Sequence, residues 1–194
     1  MITDNNFLTK QEQEEVYNII SARNVQWYLF KKTSYQIENE YTTLPDNKTK
    51  ETHQFVHALR ENNEILSDLY DYVHNNIFVK FLEKNNIGCN KIIRAKLNFV
   101  SSVEGDTYQS PHVDASYPHT VFLYYVNDSD GDTVMFNEKY DGTKKSLTVM
   151  DKVSPEMGKA ILFDGLTYHS PSAPKKSPYR IVINIAFIEE KKNV

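Results

Sequence analysis

The chain has 194 residues, of which 40% are hydrophobic, 12% aromatic and 25% charged, enough to bury roughly 70% of the surface of the unfolded chain. Its 13 Tyr and 10 Phe are too much apolar area to leave in water, which excludes a disordered chain, and 26 acidic against 22 basic residues give a net charge of −4 without a basic cluster, which speaks against a nucleic-acid partner. Cys89 is the single cysteine, so a disulfide within the chain and cysteine-ligated zinc or iron–sulfur centres are excluded.

The segment Met1 to Lys10 has no basic stretch running into an apolar one, and no apolar run approaches the ~20 residues that span a bilayer. The expectation is a cytoplasmic protein with no membrane partner. Thr9 followed three residues later by Glu12 is a capping-box signature, and Val16, Ile19 and Ile20 continue it at helical spacing. The run Val25 to Phe30 reads as a strand. From Lys31 to Thr52 the chain is polar, carries Pro45 and has no period; it reads as a long surface loop that could cover a site. A second helix is expected from about Ser67, with Leu69, Val73, Ile77 and Phe81 on one side, stopping at Gly88.

Beyond Lys91 the period changes to two. Ile93, Ala95, Leu97 and Phe99 face one way; Arg94, Lys96 and Asn98 face the other. Strands are expected around Val113 and at 120–126, 133–136, 146–150, 160–163 and 179–188, separated by turns such as Asp130-Gly131 and Asp141-Gly142. The fold class is α+β: one domain over 1–194, with 1–90 mainly helical support and loop and 91–190 an antiparallel β-sandwich or jelly-roll core.

Pro111-His112-Val113-Asp114 places an imidazole and a carboxylate two residues apart, on one side of a strand and roughly 6.5 Å apart at the backbone. By itself that pattern also fits a surface histidine beside an acid. His169 follows 55 residues after Asp114, just beyond an apolar run. Two histidines and one carboxylate with open coordination positions are the arrangement of non-haem Fe(II) oxygenases. Arg180 sharpens the reading. From Tyr179 to Phe187 the odd positions are all large and apolar, so Arg180, Val182, Asn184 and Ala186 share the opposite face, the interior of a closed barrel. A guanidinium there needs an anion. Among 22 basic residues only 23, 60, 94 and 180 are Arg, so an Arg at this place marks a use for its bidentate fork.

The set His112-x-Asp114, His169 and Arg180 resembles the Fe(II)/2-oxoglutarate-dependent dioxygenases, specifically the prolyl 4-hydroxylase-like group. The likeness runs from about Ile92 to Ile188 and includes Tyr124-Tyr125-Val126-Asn127, the Gly131-Asp132-Thr133 turn and Pro155-x-x-Gly158 leading through Phe163 to His169. The Asn- and Lys-rich chain is similar to versions carried by bacteriophages and marine bacteria, which implies a host or bacterial cytoplasm. The resemblance implies a double-stranded β-helix with N-terminal helices packed against it, Fe(II) on His112, Asp114 and His169, and 2-oxoglutarate on Arg180 with help from Tyr125. It implies O2 as oxidant, with ascorbate as an optional assistant. The implied reaction is hydroxylation of a C–H bond in a peptidyl or small-molecule substrate, with peptidyl proline first among them, and succinate and CO2 as coproducts. Many members carry a cosubstrate-binding Tyr on the strand before the His-x-Asp; here that strand offers Arg94, Lys96 and Asn98, with Tyr108 nearer the metal motif. Asn98 and Tyr108 therefore join the expected cosubstrate contacts. A cupin-like jelly roll that keeps a metal without turnover, and a metal enzyme on the same barrel that needs no 2-oxo acid, are the alternatives, and neither requires Arg180.

Other residues weigh less. His119, in Tyr117-Pro118-His119, reads as a loop residue, and His53, His57 and His74 read as ordinary members of the first half. The run Asn127 to Asp132 resembles a calcium loop, but aligning its Gly puts Val126 where the first acidic ligand belongs, so it reads as a turn. Tyr124 and Tyr125 point to opposite faces, and the family pattern makes Tyr125 the inward one.

Overall fold

The computed structural model describes residues 1–31, 41–43, 52–105, 107–143 and 145–190. Strand β1 (Ile2–Asp4) leads into helix α1 (Lys10–Ile20), where Thr9 and Glu12 form the capping box: the Thr9 side chain accepts from the Glu12 N–H, and the Glu12 carboxylate accepts from the Thr9 N–H at 2.7 Å. Gln13, Val16 and Ile20 are its buried face. The strand expected over Val25 to Phe30 contracts to β2 (Tyr28–Phe30), because the Val25 N–H closes a turn on the Ala22 carbonyl at 3.1 Å and its side chain enters the core.

Strand β3 (Tyr41–Thr43) lies within the stretch read as a loop, most of which falls outside the described residues. Strands β4 (Gln54–Glu61) and β5 (Glu64–Ile65) were not expected in a first half read as helix and loop. β4 escapes a period-two reading because a register shift between Ala58 and Arg60 breaks its alternation against the neighbouring strand.

The second helical segment is α2 (Leu69–Val73), a π-helical turn over His74–Phe78, and α3 (Val79–Lys84). The widened turn lets consecutive Ile77 and Phe78 both bury, with Tyr70 and Val73 before them and Phe81 and Leu82 after. The helix ends at Lys84, earlier than expected, and Asn86 takes a left-handed φ of 55° to turn the chain. Gly88 serves a close approach instead: a Cβ there would sit 2.7 Å from Glu190, whose N–H bonds the Gly88 carbonyl at 3.0 Å.

The remaining strands are β6 (Cys89–Ser101), β7 (Thr120–Tyr125), β8 (Thr133–Lys139), β9 (Lys145–Ser146), β10 (Val149–Val153), β11 (Ala160–Asp164), β12 (Thr167–Pro171) and β13 (Tyr179–Glu189). One large antiparallel sheet runs β1-β11-β7-β13-β6-β4-β2, with β5 on β4; a second runs β10-β8-β12, and β3 pairs with β9. The two larger sheets make the expected jelly roll. The strand expected over 146–150 is split between β9 and β10, and β12, which carries His169, was not anticipated from the sequence.

The pleat of β13 sorts the interior into two parts. Ile181, Ile183, Ile185 and Phe187 join the core beneath the helices, where Phe187 meets Phe78 edge-on at 5.1 Å and Phe122 meets Phe81 at 5.0 Å. Val182 faces the other way, into a cluster with Val121, Leu123, Tyr125, Met135 and Phe163 between the sheets. On β6, Ala95 and Leu97 join the helix-side core as expected, but Ile92 takes the place read for Ile93. The register shifts between Arg94/Ala186 and Ile92/Phe187, so Ile93 is the extra residue of a bulge and the phase inverts there. Among the described residues no helix is long and apolar enough to cross a membrane.

The turn before β8 is tied to the chain before β13. The Asp130 carboxylate accepts the N–H groups of Lys175, Lys176 and Ser177, at 3.2, 3.0 and 3.0 Å. Burial alone would raise its pKa, but these donors hold it down to about 2. A depressed folded pKa stabilises above the unfolded value near 3.8 and loses that contribution as pH falls through about 2. Asp130→Asn is expected to lower stability by about 1 kcal/mol at pH 7, after discounting for solvent screening, and to converge with the parent near pH 2. Urea unfolding at pH 7, 4 and 2.5 measures this.

Candidate metal centre

His112 follows Pro111 in the irregular segment between β6 and β7, and a single antiparallel bridge joins it to His169 on β12. The His112 N–H donates to the His169 carbonyl at 2.9 Å and the His169 N–H returns the bond at 3.0 Å. That reciprocal pair sets the two rings side by side, with centroids 4.7 Å apart. Each ring is turned by a backbone carbonyl: Nδ1 of His112 lies 3.2 Å from the Ser110 oxygen, and Nδ1 of His169 lies 3.1 Å from the Thr167 oxygen. A carbonyl only accepts, so Nδ1 carries the hydrogen in both rings and each Nε2 keeps its lone pair.

Asp114 brings its carboxylate to the same point. One ligating atom from each of the three residues lies within 4.8 Å of the others, and Asp114 Oδ2 is 3.7 Å from His169 Nε2. Nε2 of His169 is buried without a hydrogen-bond partner. An orphaned lone pair beside a carboxylate, with a second imidazole next to it, is a donor set that fits a divalent ion, and two imidazoles with one carboxylate suit non-haem Fe(II).

The surroundings hold these groups in ligating form. Burial pushes the His112 pKa down to about 3, and burial likewise lowers that of His169, so both imidazoles are neutral at physiological pH. Burial would raise the Asp114 pKa, but the Arg94 guanidinium, with Lys96, outweighs it and holds the carboxyl well below the usual range. Arg94 pairs with Asp114 Oδ1, and the Asn184 amide donates to Oδ2 at 3.2 Å. The Asp114 side chain is only 2% exposed.

Beside the three residues a cavity opens between the sheets, lined by Gln54, Lys96, Asn98, Val100, His112, Leu123, Thr133, His169, Pro171, Arg180, Val182 and Asn184. Arg180 enters it from β13. Its Nη2 donates to Thr133 Oγ1 at 2.7 Å, its guanidinium lies 5.6 Å from the centre of the Tyr125 ring, and Nε has no partner. Tyr125 donates to the same Thr133 oxygen at 2.8 Å. Among the described residues no carboxylate reaches ion-pair distance of Arg180, so a buried cation and an unpaired donor face an open space.

The structure thus brings together His112, Asp114, His169, Arg180, Asn98 and Tyr125. Tyr124 points away, into the helix-side core. Tyr108 is corrected. It is not among the residues lining the cavity, and its ring packs with Val113, Val134, Phe136, Leu147 and Tyr168 on the other side of the small sheet. Nearness in sequence to His112 does not bring Tyr108 to the site, because the backbone between them is irregular and turns its side chain to the other face. His119 lies outside the cluster, with Nδ1 2.7 Å from the Tyr117 carbonyl. His53 is exposed at the start of β4, and His57, on β4, lies between Gln26 and Ser67. Asn184, Thr133 and Gln54 are the site residues that sequence reading left without a role. Asn184 carried one signal, its shared face with Arg180; the other two come from strands whose neighbours only the fold supplies.

No family model and no curated protein matches the chain. Solved structures do. The chain is similar to a 2-oxoglutarate–Fe(II) oxygenase-family oxidoreductase of Burkholderia pseudomallei, at 12% identity, TM-score 0.61 and coverage of 94% of this chain and 81% of the other. It is similar to a prolyl hydroxylase of Trichoplax adhaerens in complex with a peptide fragment of the hypoxia-inducible factor oxygen degradation domain, at 12% identity, TM-score 0.59 and coverage of 96% and 82%. It is also similar to the non-haem α-ketoglutarate-dependent epimerase SnoN from nogalamycin biosynthesis, at 11% identity, TM-score 0.62 and coverage of 96% and 77%. At such identities the shared property is the fold, which is the jelly roll of these oxygenases.

Removing a ligand takes away a third of the protein's donors. His169→Ala and Asp114→Ala are expected to weaken Mn(II) binding by at least about a hundredfold, and Asn184→Ala, which frees one Asp114 oxygen, by about tenfold. His119→Ala is expected to bind as the parent does. Calorimetric titration of Mn(II) into metal-free protein reads all four; unaltered affinity in His169→Ala would refute the assignment.

Proposed function

We propose that the protein is a non-haem Fe(II)- and 2-oxoglutarate-dependent oxygenase that hydroxylates an aliphatic C–H bond, with peptidyl proline the first substrate class to test. The observation that carries the reading is that His112 and His169, joined by Asp114, share one cavity with a buried Arg180 that no carboxylate among the described residues pairs. The donor set alone fits many metal proteins; the unpaired guanidinium adds the need for a carboxylate at a second point. Likeness of fold to oxygenases that include prolyl hydroxylases supports it.

In this reading His112, Asp114 and His169 hold the metal through Nε2, Oδ2 and Nε2. When bound, Fe(II) with 2-oxoglutarate and O2 supplies the oxidation of the C–H bond, releasing succinate and CO2. Arg94 and Asn184 occupy both oxygens of Asp114 and fix its rotation, so that one lone pair is aimed at the ion. Arg180 receives the distal carboxylate of the 2-oxo acid, and Thr133, bonded by both Arg180 and Tyr125, locks the guanidinium in place. Leu123, Val100 and Val182 form the apolar wall that keeps water from the reacting centre.

Protein with Fe(II), ascorbate and O2 is expected to convert 2-oxoglutarate to succinate, faster when proline-containing peptides or small metabolites include its substrate. A cupin-like binding protein leaves succinate at the background level. Arg180→Gln removes a charge-assisted contact of roughly 1.5–3 kcal/mol, which corresponds to a rise of about tenfold to 150-fold in the KM for 2-oxoglutarate. Arg180→Lys is expected to fall between, since it keeps the charge and loses the fork. Tyr125→Phe is expected to show a smaller rise, and Tyr124→Phe none. Steady-state kinetics with varied 2-oxoglutarate measures each, and a normal KM in Arg180→Gln would place the carboxylate elsewhere.

A further inference from the structure

The cavity holds more positive charge than the proposed cosubstrate can neutralise. Besides Arg180, β6 sends in Lys96 and sets Arg94 beside the cavity on Asp114. Arg94 is matched by Asp114, although its buried Nε remains unpartnered. Among the described residues, the Lys96 ammonium makes no hydrogen bond and no ion pair. With a divalent ion and the two carboxylates of a 2-oxo acid in place, the site is still positive. Lys96 is half-buried and lines the cavity, so its ammonium is open to an anionic ligand there.

The register between β6 and β13 shows where that ligand belongs. Arg180 pairs with Val100, Val182 with Asn98, Asn184 with Lys96, and Ala186 with Arg94. Four residues of strand, ~13 Å at ~3.3 Å per residue, separate the Arg180 row from the row of Lys96 and Asn184. Asn184 holds Asp114, so the metal cluster lies at the Lys96 end. A 2-oxo acid reaching from the metal to Arg180 lies over the Asn98–Val182 row and turns away from Arg94. Arg94, with a side chain 30% exposed against 2% for Asp114, marks the mouth on that far side. Lys96 stands between the two.

We propose that Lys96, flanked by Arg94, is an anion-recognition subsite for the prime substrate, and that this substrate carries a carboxylate close to the oxidised carbon. The proposal rests on the oxygenase reading above and adds the substrate's charge. A free amino or N-acyl acid and an acidic residue next to the target in a peptide present the same group. Lys96 supplies a point charge on a flexible stem, suited to a single carboxylate oxygen. The Arg94 fork, already holding Asp114, adds its free Nε.

The test uses protein loaded with Mn(II) and saturating 2-oxoglutarate, so that Arg180 is occupied and no turnover occurs. N-acetylproline, its uncharged relative N-acetylprolinamide, and acetyl-Asp-Pro-amide are titrated by calorimetry. At least one acid is expected to bind at least tenfold more tightly than the amide, and the identity of that acid separates the free from the peptide source. Lys96→Met is expected to abolish the preference, to leave 2-oxoglutarate affinity within about twofold, and to melt at or above the parent temperature without ligands, since Lys96 makes no hydrogen bond or ion pair among the described residues. Equal binding of acids and amide, no binding of any of them, or a drop in melting temperature overturns the proposal. So does a large loss of 2-oxoglutarate affinity in Lys96→Met, which would put Lys96 in the cosubstrate subsite. Failure of the oxygenase reading itself looks different: the parent protein would give no heat with 2-oxoglutarate before any acid is added.

Discussion

The pleat of β13, in register with β6 on one side and β7 on the other, is the constraint from which most of the molecule follows. Because successive side chains must leave a strand on opposite faces, Ile181, Ile183, Ile185 and Phe187 can pack under the helices only if Arg180, Val182, Asn184 and Ala186 point between the sheets. A slip of one residue would turn Arg180 into the helix-side core and the isoleucines into a polar cavity. The apolar face therefore fixes the position of the polar one. The helices contribute to the site without touching it: by packing on one face they hold the register that delivers Arg180 and Asn184 to the other.

The polar face is costly, and its satisfaction is divided. Asp114 is engaged on both oxygens, by Arg94 on one and Asn184 on the other, with lone pairs left for an ion, so its charge is stabilised within the protein. Among the described residues Arg180 has neutral partners only, the Thr133 hydroxyl and the Tyr125 ring, and Lys96 makes no hydrogen bond or ion pair. His169 keeps a buried nitrogen without a hydrogen. A site built for stability alone would pair these groups or replace them with apolar ones. Unpaired donors and acceptors gathered in one cavity mark where the protein gains its compensation from ligands, an ion at one end and anions at the other.

Part of this was legible from the order of residues. The capping box of α1 and the alternation of β13 are local patterns, and each appears in the structure; His112 and Asp114 do meet at one point, but from an irregular segment where a strand around Val113 was expected. The reading failed where a local rule was interrupted. The bulge at Ile93 inverts the phase of β6, the left-handed turn at Asn86 ends the helix before Gly88, and the irregular backbone between Tyr108 and His112 sends Tyr108 to the other side of the small sheet. β4 lay hidden for the same reason, behind a shift in its own register.

What the amino-acid order determined by itself is the inventory and its facing: two imidazoles, a carboxylate and a guanidinium, with the guanidinium on the polar side of a strand whose other side is apolar. Chain geometry over a few residues suffices for that. What only the tertiary structure decided is the meeting of groups far apart in sequence. His112 and His169 are joined by a reciprocal backbone bridge, Asn184 closes on Asp114, Thr133 locks Arg180, and Lys96 lines the cavity without a bond among the described residues. Those relations depend on which strands become neighbours and in what register, and that is set by the packing of the whole core rather than by any segment of it.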